Sequence, residues 1–347
     1  MNCVPRIFAT AICLSFAIPQ LYAGPGLQSS QTPPPVDAKA QQEPENTETY
    51  TYRISAELVN VDVLVTDEDG HVLTGLKRGN FRVLDNGVPQ QVLNFSPTSA
   101  PITIVVLMEY SAASYNYFAS KSAQWSTEFL SHLEPRDWVS LVTFDMKPKV
   151  QVDFTHRQYD VRDAIASLGF PQFQEVNLYD ALIDTLDKLE RVRGRKSVLI
   201  LATGLNSFSA ANFDQVRDRV KRSDAVIFCI GLAEGEYVRY SGIDMSYLQG
   251  KNALTTFAQQ TGGLALFPRF EGELPDIFRS VVGFLRSEYT LAFRPSQENR
   301  DGRYHRLSVE IVGPDGAPLK VTDEKGRRRK IEVFAREGYM APQEVSR

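Results

Sequence analysis

The spacing of apolar residues changes character twice along the chain. From Tyr50 to Ser96 it reads as β-structure. Val59, Val61, Val63 and Val65 alternate with Asn60, Asp62 and Leu64, the period of a strand. Asp69-Gly70 makes a turn, and a second strand holds Phe81, Val83 and Leu84. Asn86-Gly87 follows it, a hairpin signal because both residues tolerate positive φ. Val92, Leu93 and Phe95 close the unit. The alternation then stops. Ile102–Met108, Trp138–Phe144, Ser197–Ala202 and Ala225–Ile230 are continuous apolar runs, as expected of parallel strands buried on both faces. Helical spacing lies between them, over 120–133, 159–168, 179–193 and 212–222. A further helix over 254–261 stops at Gly262-Gly263, which suits a helix end. A last strand is expected at 264–267 and a last helix at 274–285. Such alternation predicts an α/β fold with a doubly wound, mostly parallel sheet. From Glu288 to Tyr339 the pattern returns to β, with strands at Tyr289–Phe293, Leu307–Val312 and Ile331–Phe334.

Neither β segment is stable alone, since two or three strands cannot bury a face. The economical arrangement is one small β-sandwich built from both, with the α/β domain inserted. The expected boundaries are 50–97 for the N-terminal β segment, 98–286 for the α/β domain and 287–341 for the C-terminal β segment.

The first residues read differently. Arg6 precedes an apolar stretch, Ile7 to Pro19, and Leu21-Tyr22-Ala23 offers a cleavage site before Gly24. Residues 1–23 are therefore expected to be a signal peptide, too short to span a membrane comfortably. Residues 24–49 are rich in Pro, Gln, Ser and Glu and read as a disordered linker. Of three cysteines, Cys3 and Cys13 leave with the signal, and Cys229 stays in an apolar run as a small hydrophobe. The expected location is periplasmic or secreted, with no membrane insertion after cleavage. A net charge of −4 over 347 residues gives no electrostatic footprint for nucleic acid.

The order of the motifs resembles a known family. Ile102–Met108, Pro135-Arg136-Asp137-Trp138 leading into Val139–Phe144, Asn177-Leu178-Tyr179-Asp180-Ala181-Leu182 and Val198–Leu201 together resemble a von Willebrand factor A (VWA) domain. The flanks resemble its VWFA-related branch of acidobacterial type. They are Val61–Asp67, Gly79-Asn80-Phe81, Asp85-Asn86-Gly87, Thr261-Gly262-Gly263, Tyr289–Pro295 and Arg336-Glu337-Gly338-Tyr339. The resemblance spans roughly residues 53–341. It implies an open sheet with helices on both faces and a metal-ion-dependent adhesion site where the strands end. That site takes Asp-x-Ser-x-Ser after the first strand, a Thr before the Leu-Tyr-Asp-Ala helix and an Asp after the central strand, hard oxygens suited to Mg²⁺. Here the loop reads Glu109-Tyr110-Ser111-Ala112-Ala113, Val176 stands for the Thr and Thr203 for the Asp. Glu109, Ser111 and Thr203 make a degenerate metal site, so no cofactor is expected, with Mg²⁺ or another divalent cation as the alternative.

The surrounding loops still form a surface. Tyr110, Ser114, Tyr115, Tyr117, Phe173, Asn177, Asn206 and Phe208 are the candidate partner-binding residues, with Phe170 beside them. Tyrosine-rich loops offer large contact area at small entropic cost.

Enzymatic signatures are not found. His71, His132, His156 and His305 pair with no His, Cys or Glu at metal-ligand spacing. There is no Gly-x-Ser-x-Gly elbow, and Gly250-Lys251-Asn252 lacks the pattern of a phosphate loop. Arg327–Lys330 reads as a solvated hairpin tip. The expectation is a non-enzymatic, exported protein that binds an unknown protein ligand or mediates adhesion. A cation-dependent adhesin using Glu109 and Ser111, and a scaffold component of an envelope assembly, remain as alternatives.

Overall fold

The computed structural model describes residues 58–97, 100–112, 122–231, 245–287, 289–296, 301–322 and 326–341. The segments read as signal peptide and linker lie outside them. The first strands are β1 (Val59–Asp67), β2 (Phe81–Asp85), β3 (Val88–Gln90) and β4 (Val92–Pro97). The α/β region follows, with β5 (Ile102–Glu109), α1 (Ser122–Ser131), β6 (Trp138–Phe144), β7 (Pro148–Thr155), α2 (Gln158–Ala166), α3 (Leu178–Glu190), β8 (Arg195–Ala202), α4 (Phe213–Arg222), β9 (Val226–Gly231), α5 (Met245–Thr261), β10 (Ala265–Leu266) and α6 (Leu274–Ser287). The chain closes with β11 (Tyr289–Phe293), β12 (Tyr304–Ile311), the short pair β13 (Val321–Thr322) and β14 (Arg328–Arg329), then β15 (Ile331–Ala335) and β16 (Gly338–Met340).

The central sheet runs β10-β9-β8-β5-β6-β7. Counted within the domain this is the order 3-2-1-4-5-6 of a doubly wound sheet. Its apolar runs face both ways, as their lack of alternation requires. Ile104, Val106 and Met108 of β5 pack under α1, α2 and α6, while Val105 and Leu107 pack under α3, α4 and α5. The edge strand β7 was not legible in the sequence. It is antiparallel to β6, largely solvent-facing and interrupted by two register shifts. Those irregularities, with Pro148 and Lys149, guard a sheet edge against further pairing. Helix α5 is also longer than its apolar spacing suggests, because its first turns present Met245 and Leu248 to solvent.

The two terminal segments interleave. One sheet is β15-β1-β11-β4 and the other β16-β12-β2-β3. β1 lies between two C-terminal strands, with Val61 opposite Leu291 and Val65 opposite Val333. The Asn86-Gly87 hairpin forms as expected, at φ 48° and 83°. The alternation of β1 understates its burial. Leu64 points away from the sandwich and is buried in the core of the α/β domain beneath α6. The basic run lies on the returning arm of a hairpin, where β14 pairs with β13, Arg327, Arg328 and Lys330 are exposed, and Arg329 bonds Asp69.

Thr261-Gly262-Gly263 locks the two parts together. Gly262 has φ +83°, and a Cβ there would lie 2.7 Å from the backbone of Ala335 and Arg336. A Cβ on Gly263 would lie 2.0 Å from the carbonyl oxygen of Ile227. The end of α5 thus slots between β9 and β15 only because both positions lack side chains. Within the sandwich, the buried Asp85 carboxylate meets His305 Nδ1 at 2.9 Å and accepts the Tyr339 hydroxyl at 2.8 Å, while His305 Nε2 faces Asp301 at 3.1 Å.

Two predictions follow from this packing. Gly262→Ala combines forbidden φ with a backbone clash and should cost about 2–4 kcal/mol, read as a lower urea midpoint. Burial, then the bond to Asp85, pushes the Tyr339 phenol well above the ordinary tyrosine value of about 10. This contribution is present below pH ~10 and lost above it, where the unfolded chain ionises and the folded chain does not. Urea melts between about pH 8 and 11 should show stability falling with pH, and Tyr339→Phe should flatten that fall.

Candidate functional site

The face to consider is where the parallel strands end, since ligands of open α/β sheets bind outside the carboxyl ends of the strands. β5 and β8 are neighbours in parallel register, with Met108 opposite Leu201. The next residue of β5 is Glu109, and β8 continues through Ala202 into Thr203. The sheet therefore brings together Glu109, Ser111 and Thr203, the three residues read from the sequence as a degenerate metal site. Glu109 is fully buried, and both its carboxylate oxygens accept hydrogen bonds. Ser111 Oγ donates to Oε1 at 2.9 Å. Thr203 donates to Oε2 twice, from its N–H at 2.8 Å and from Oγ1 at 2.7 Å. The extra methylene of Glu over Asp carries the carboxylate across to Thr203, where the resemblance places a second carboxylate. Val176 contributes no side-chain oxygen and is buried in the core below α3.

The turn after Thr203 is tightly constrained. Gly204 has φ +82°, and a Cβ there would meet the Gly250 carbonyl oxygen at 2.4 Å. The two glycines let α5 rest on this turn. That is the role of the Gly250 in Gly250-Lys251-Asn252.

A second network fixes the start of α3. Ser209 Oγ donates to Asn177 Oδ1 at 2.7 Å, and the Asn177 amide donates to Met146 O at 3.1 Å. Asn206 Oδ1 accepts the Tyr179 N–H at 3.2 Å. Asp180 accepts the N–H groups of Ala210 and Ala211 at 2.8 and 2.9 Å. The motif Asn-Leu-Tyr-Asp thus ties the helix to the loop after β8. Asn177, read from the sequence as a partner contact, is buried and spends its side chain inside this network. Asn206 is half-buried and shares the same duty. Ser209 was not singled out in the sequence, and Asp180 appeared there only as part of the Asn177–Leu182 motif. An acidic residue in the first helical turn was the only available signal, and it does not reveal which loop it caps.

Aromatic groups stand around this framework. Phe170 is 72% exposed, Phe208 48% and Phe173 45%. Tyr110 is partly buried and its hydroxyl donates to the Gly169 carbonyl. A groove of about 310 Å³ runs among Tyr110, Phe170, Phe173, Lys147 and Lys149. The loops beneath are pinned by backbone bonds, Ala112 N–H to Phe173 O at 2.7 Å and Phe208 N–H to Val176 O at 3.0 Å. Ser114, Tyr115 and Tyr117 lie outside the described residues.

The histidines are elsewhere. His132 bonds Glu128 at the end of α1, His156 stacks on Trp138, and His305 is in the sandwich. His71 lies near Asp67 and Asp69 on an exposed turn, where Asp69 is bonded by Arg329 and Asp67 accepts the N–H groups of Asp69 and His71.

Fold and site together define a doubly wound α/β domain set in a β-sandwich, with Glu109, Ser111 and Thr203 joined at the carboxyl end of its sheet. No family model matches the chain, and no curated protein matches it. Among solved structures, the chain is similar to an aerotolerance-related membrane protein from Bacteroides fragilis, at 12% identity over 52% of this chain and 98% of that one, TM-score 0.40. It is similar to the vWF domain of the type V pili tip protein Mfa5 from Porphyromonas gingivalis, at 11% over 54% and 96%, TM-score 0.42. It is also similar to proximal thread matrix protein 1 from the mussel byssus, at 16% over 58% and 50%, TM-score 0.44. Likenesses this distant carry no argument, and the fold assignment rests on the topology of the chain itself. Among the described residues no helix is long and apolar enough to cross a membrane.

Glu109→Gln replaces one accepting oxygen by a donor that faces either Ser111 or Thr203. It is expected to lower stability by about 1–3 kcal/mol in denaturant melts. Thr203→Val, which leaves the N–H bond in place, should cost less.

Proposed function

We propose that this chain is an exported, non-enzymatic protein-binding module that grips its partner through the aromatic loops at the carboxyl end of the sheet, without a metal ion. The observation that carries this reading is the trio of exposed phenylalanines, Phe170, Phe173 and Phe208, the last two on segments pinned by backbone hydrogen bonds. Large apolar groups cost free energy in water, and rigid aromatic anchors are what protein interfaces use. Metal independence is supported by the donor set. One carboxylate, already engaged at both oxygens by Ser111 and Thr203, is a poor cage for Mg²⁺, which needs near-ideal octahedral oxygen geometry. Export rests on the first 23 residues. A protein ligand fits a net charge of −4 better than nucleic acid does. We further assign the chain to the VWFA-related branch of acidobacterial type, on the flanking motifs Thr261-Gly262-Gly263 and Arg336-Glu337-Gly338-Tyr339.

Two measurements test the reading. The chain without residues 1–23 should melt at the same temperature in EDTA and in millimolar Mg²⁺, Ca²⁺ or Mn²⁺. A ligand at ~100 times its Kd adds about 2.7 kcal/mol, so a rise of several degrees that Glu109→Ala abolishes would make the protein a cation-dependent adhesin instead. In crosslinking from the extracytoplasmic fraction of the source cells, Phe170→Ser/Phe173→Ser/Phe208→Ser should lose the proteins that the unaltered chain captures. Undiminished capture by a variant of unchanged melting temperature would remove this face from the binding role.

A further inference from the structure

At the opposite end of the sheet from Glu109, a cavity of about 690 Å³ opens between the α/β domain and the sandwich. Ligand sites fall in the range of about 300–1,000 Å³ and favour domain junctions. The starts of β5, β6, β8 and β9 form one wall, and Asn60, Asp62 and Thr290 of β1 and β11 face them. The lining carries an excess of positive charge. Arg136, Arg193, Arg195, Lys196 and Arg336 line it with Asp62, Glu190 and Asp224, and Arg136 pairs with Glu134 just outside at 2.7 Å.

Those carboxylates are already engaged. Asp224 pairs with the buried Lys196 at 2.8 Å, Glu190 with Arg219 of α4 at 3.0 Å, and Asp62 accepts the Thr290 hydroxyl at 2.6 Å. Arg336 is held differently. Its Nε donates to Gly338 O at 2.7 Å and its Nη2 to Ser223 O at 3.0 Å, and among the described residues no carboxylate lies within ion-pair distance of it. Burial pushes its guanidinium below the usual arginine range, although Asp224 and Asp62 are near enough to oppose the shift. A desolvated guanidinium gains most from a ligand that brings negative charge and paired oxygens to its fork.

We propose that this cavity binds a small organic or inorganic oxyanion, carrying carboxylate or phosphate groups, between the buried Lys196, the partly exposed Arg336 and the exposed Arg193. The site is separate from the aromatic face and stands whether or not that face binds protein. Its place at the junction gives it a consequence. Asn60, Asp62 and Thr290 belong to the sandwich and Lys196 to the central sheet, so an anion held among them tightens one part on the other.

The test uses the chain without residues 1–23 in a Trp125→Phe background, where Trp138 on the cavity wall is the sole tryptophan of the chain's two. Citrate and inorganic phosphate are titrated separately, followed by heat and by Trp138 emission. The expected result is saturable binding of at least one of them with Kd below ~1 mM and a change in emission. Binding by citrate alone or by phosphate alone supports the site and sorts the ligand class. Arg193→Glu, an exposed change at the rim, should weaken binding at least ~10-fold, and Arg336→Lys, which keeps the charge but loses the fork, should weaken it as well. No saturable signal from either anion up to about 10 mM overturns the proposal, as does affinity unchanged in both variants at unchanged melting temperature.

Discussion

Strand β1 can be satisfied only by the far end of the chain. Its neighbours are β11 and β15, more than two hundred residues away, and its valines complete a core whose other half is Leu291, Phe293 and Leu307. An unpaired strand of this composition would leave a row of N–H and C=O groups and an apolar face in water. The two ends must therefore close on each other, and the α/β domain is held as an insertion between them. Leu64, on the other face of β1, is then buried in the α/β core, so the same strand serves both parts.

This closure sets the two ends of the central sheet apart in kind. At the carboxyl end the described loops pack on one another. Their polar groups are consumed in pinning one another, through Glu109 with Ser111 and Thr203 and through Asn177, Asn206 and Ser209. Phe170, Phe173 and Phe208 face solvent there, beside the polar Gln172, Gln174 and Glu175. At the amino end the sandwich covers the strands incompletely, and the gap is lined by cations. At the first of these ends Glu109 reaches from Ser111 to Thr203, and its carboxylate accepts hydroxyl and amide protons from both. A buried charge persists only when such donors compensate it.

Glycine does the fitting between layers. Gly204 against Gly250, and Gly262 with Gly263 against Ala335 and Ile227, are places where two backbones approach too closely for any side chain. In the sequence these glycines look like ordinary helix ends and turns.

The sequence by itself determined most of the strands and helices, because apolar periodicity follows directly from which faces are buried. It showed that the sheet is mostly parallel, through runs such as Ile102–Met108. It also required the two β segments to find partners. Only the tertiary structure decided the rest. The pairing of β1 with β11 and β15 depends on register between distant residues. The edge strand β7 escapes notice because a half-exposed, bulged strand has no clean period. The meeting of Thr203 with Glu109, the capping of Ala210 and Ala211 by Asp180, and the gathering of Arg193, Lys196 and Arg336 around one cavity are three-dimensional coincidences. Residue type and spacing record which groups a chain owns, while hydrogen bonds and charge depend on which groups the fold brings within a few ångströms.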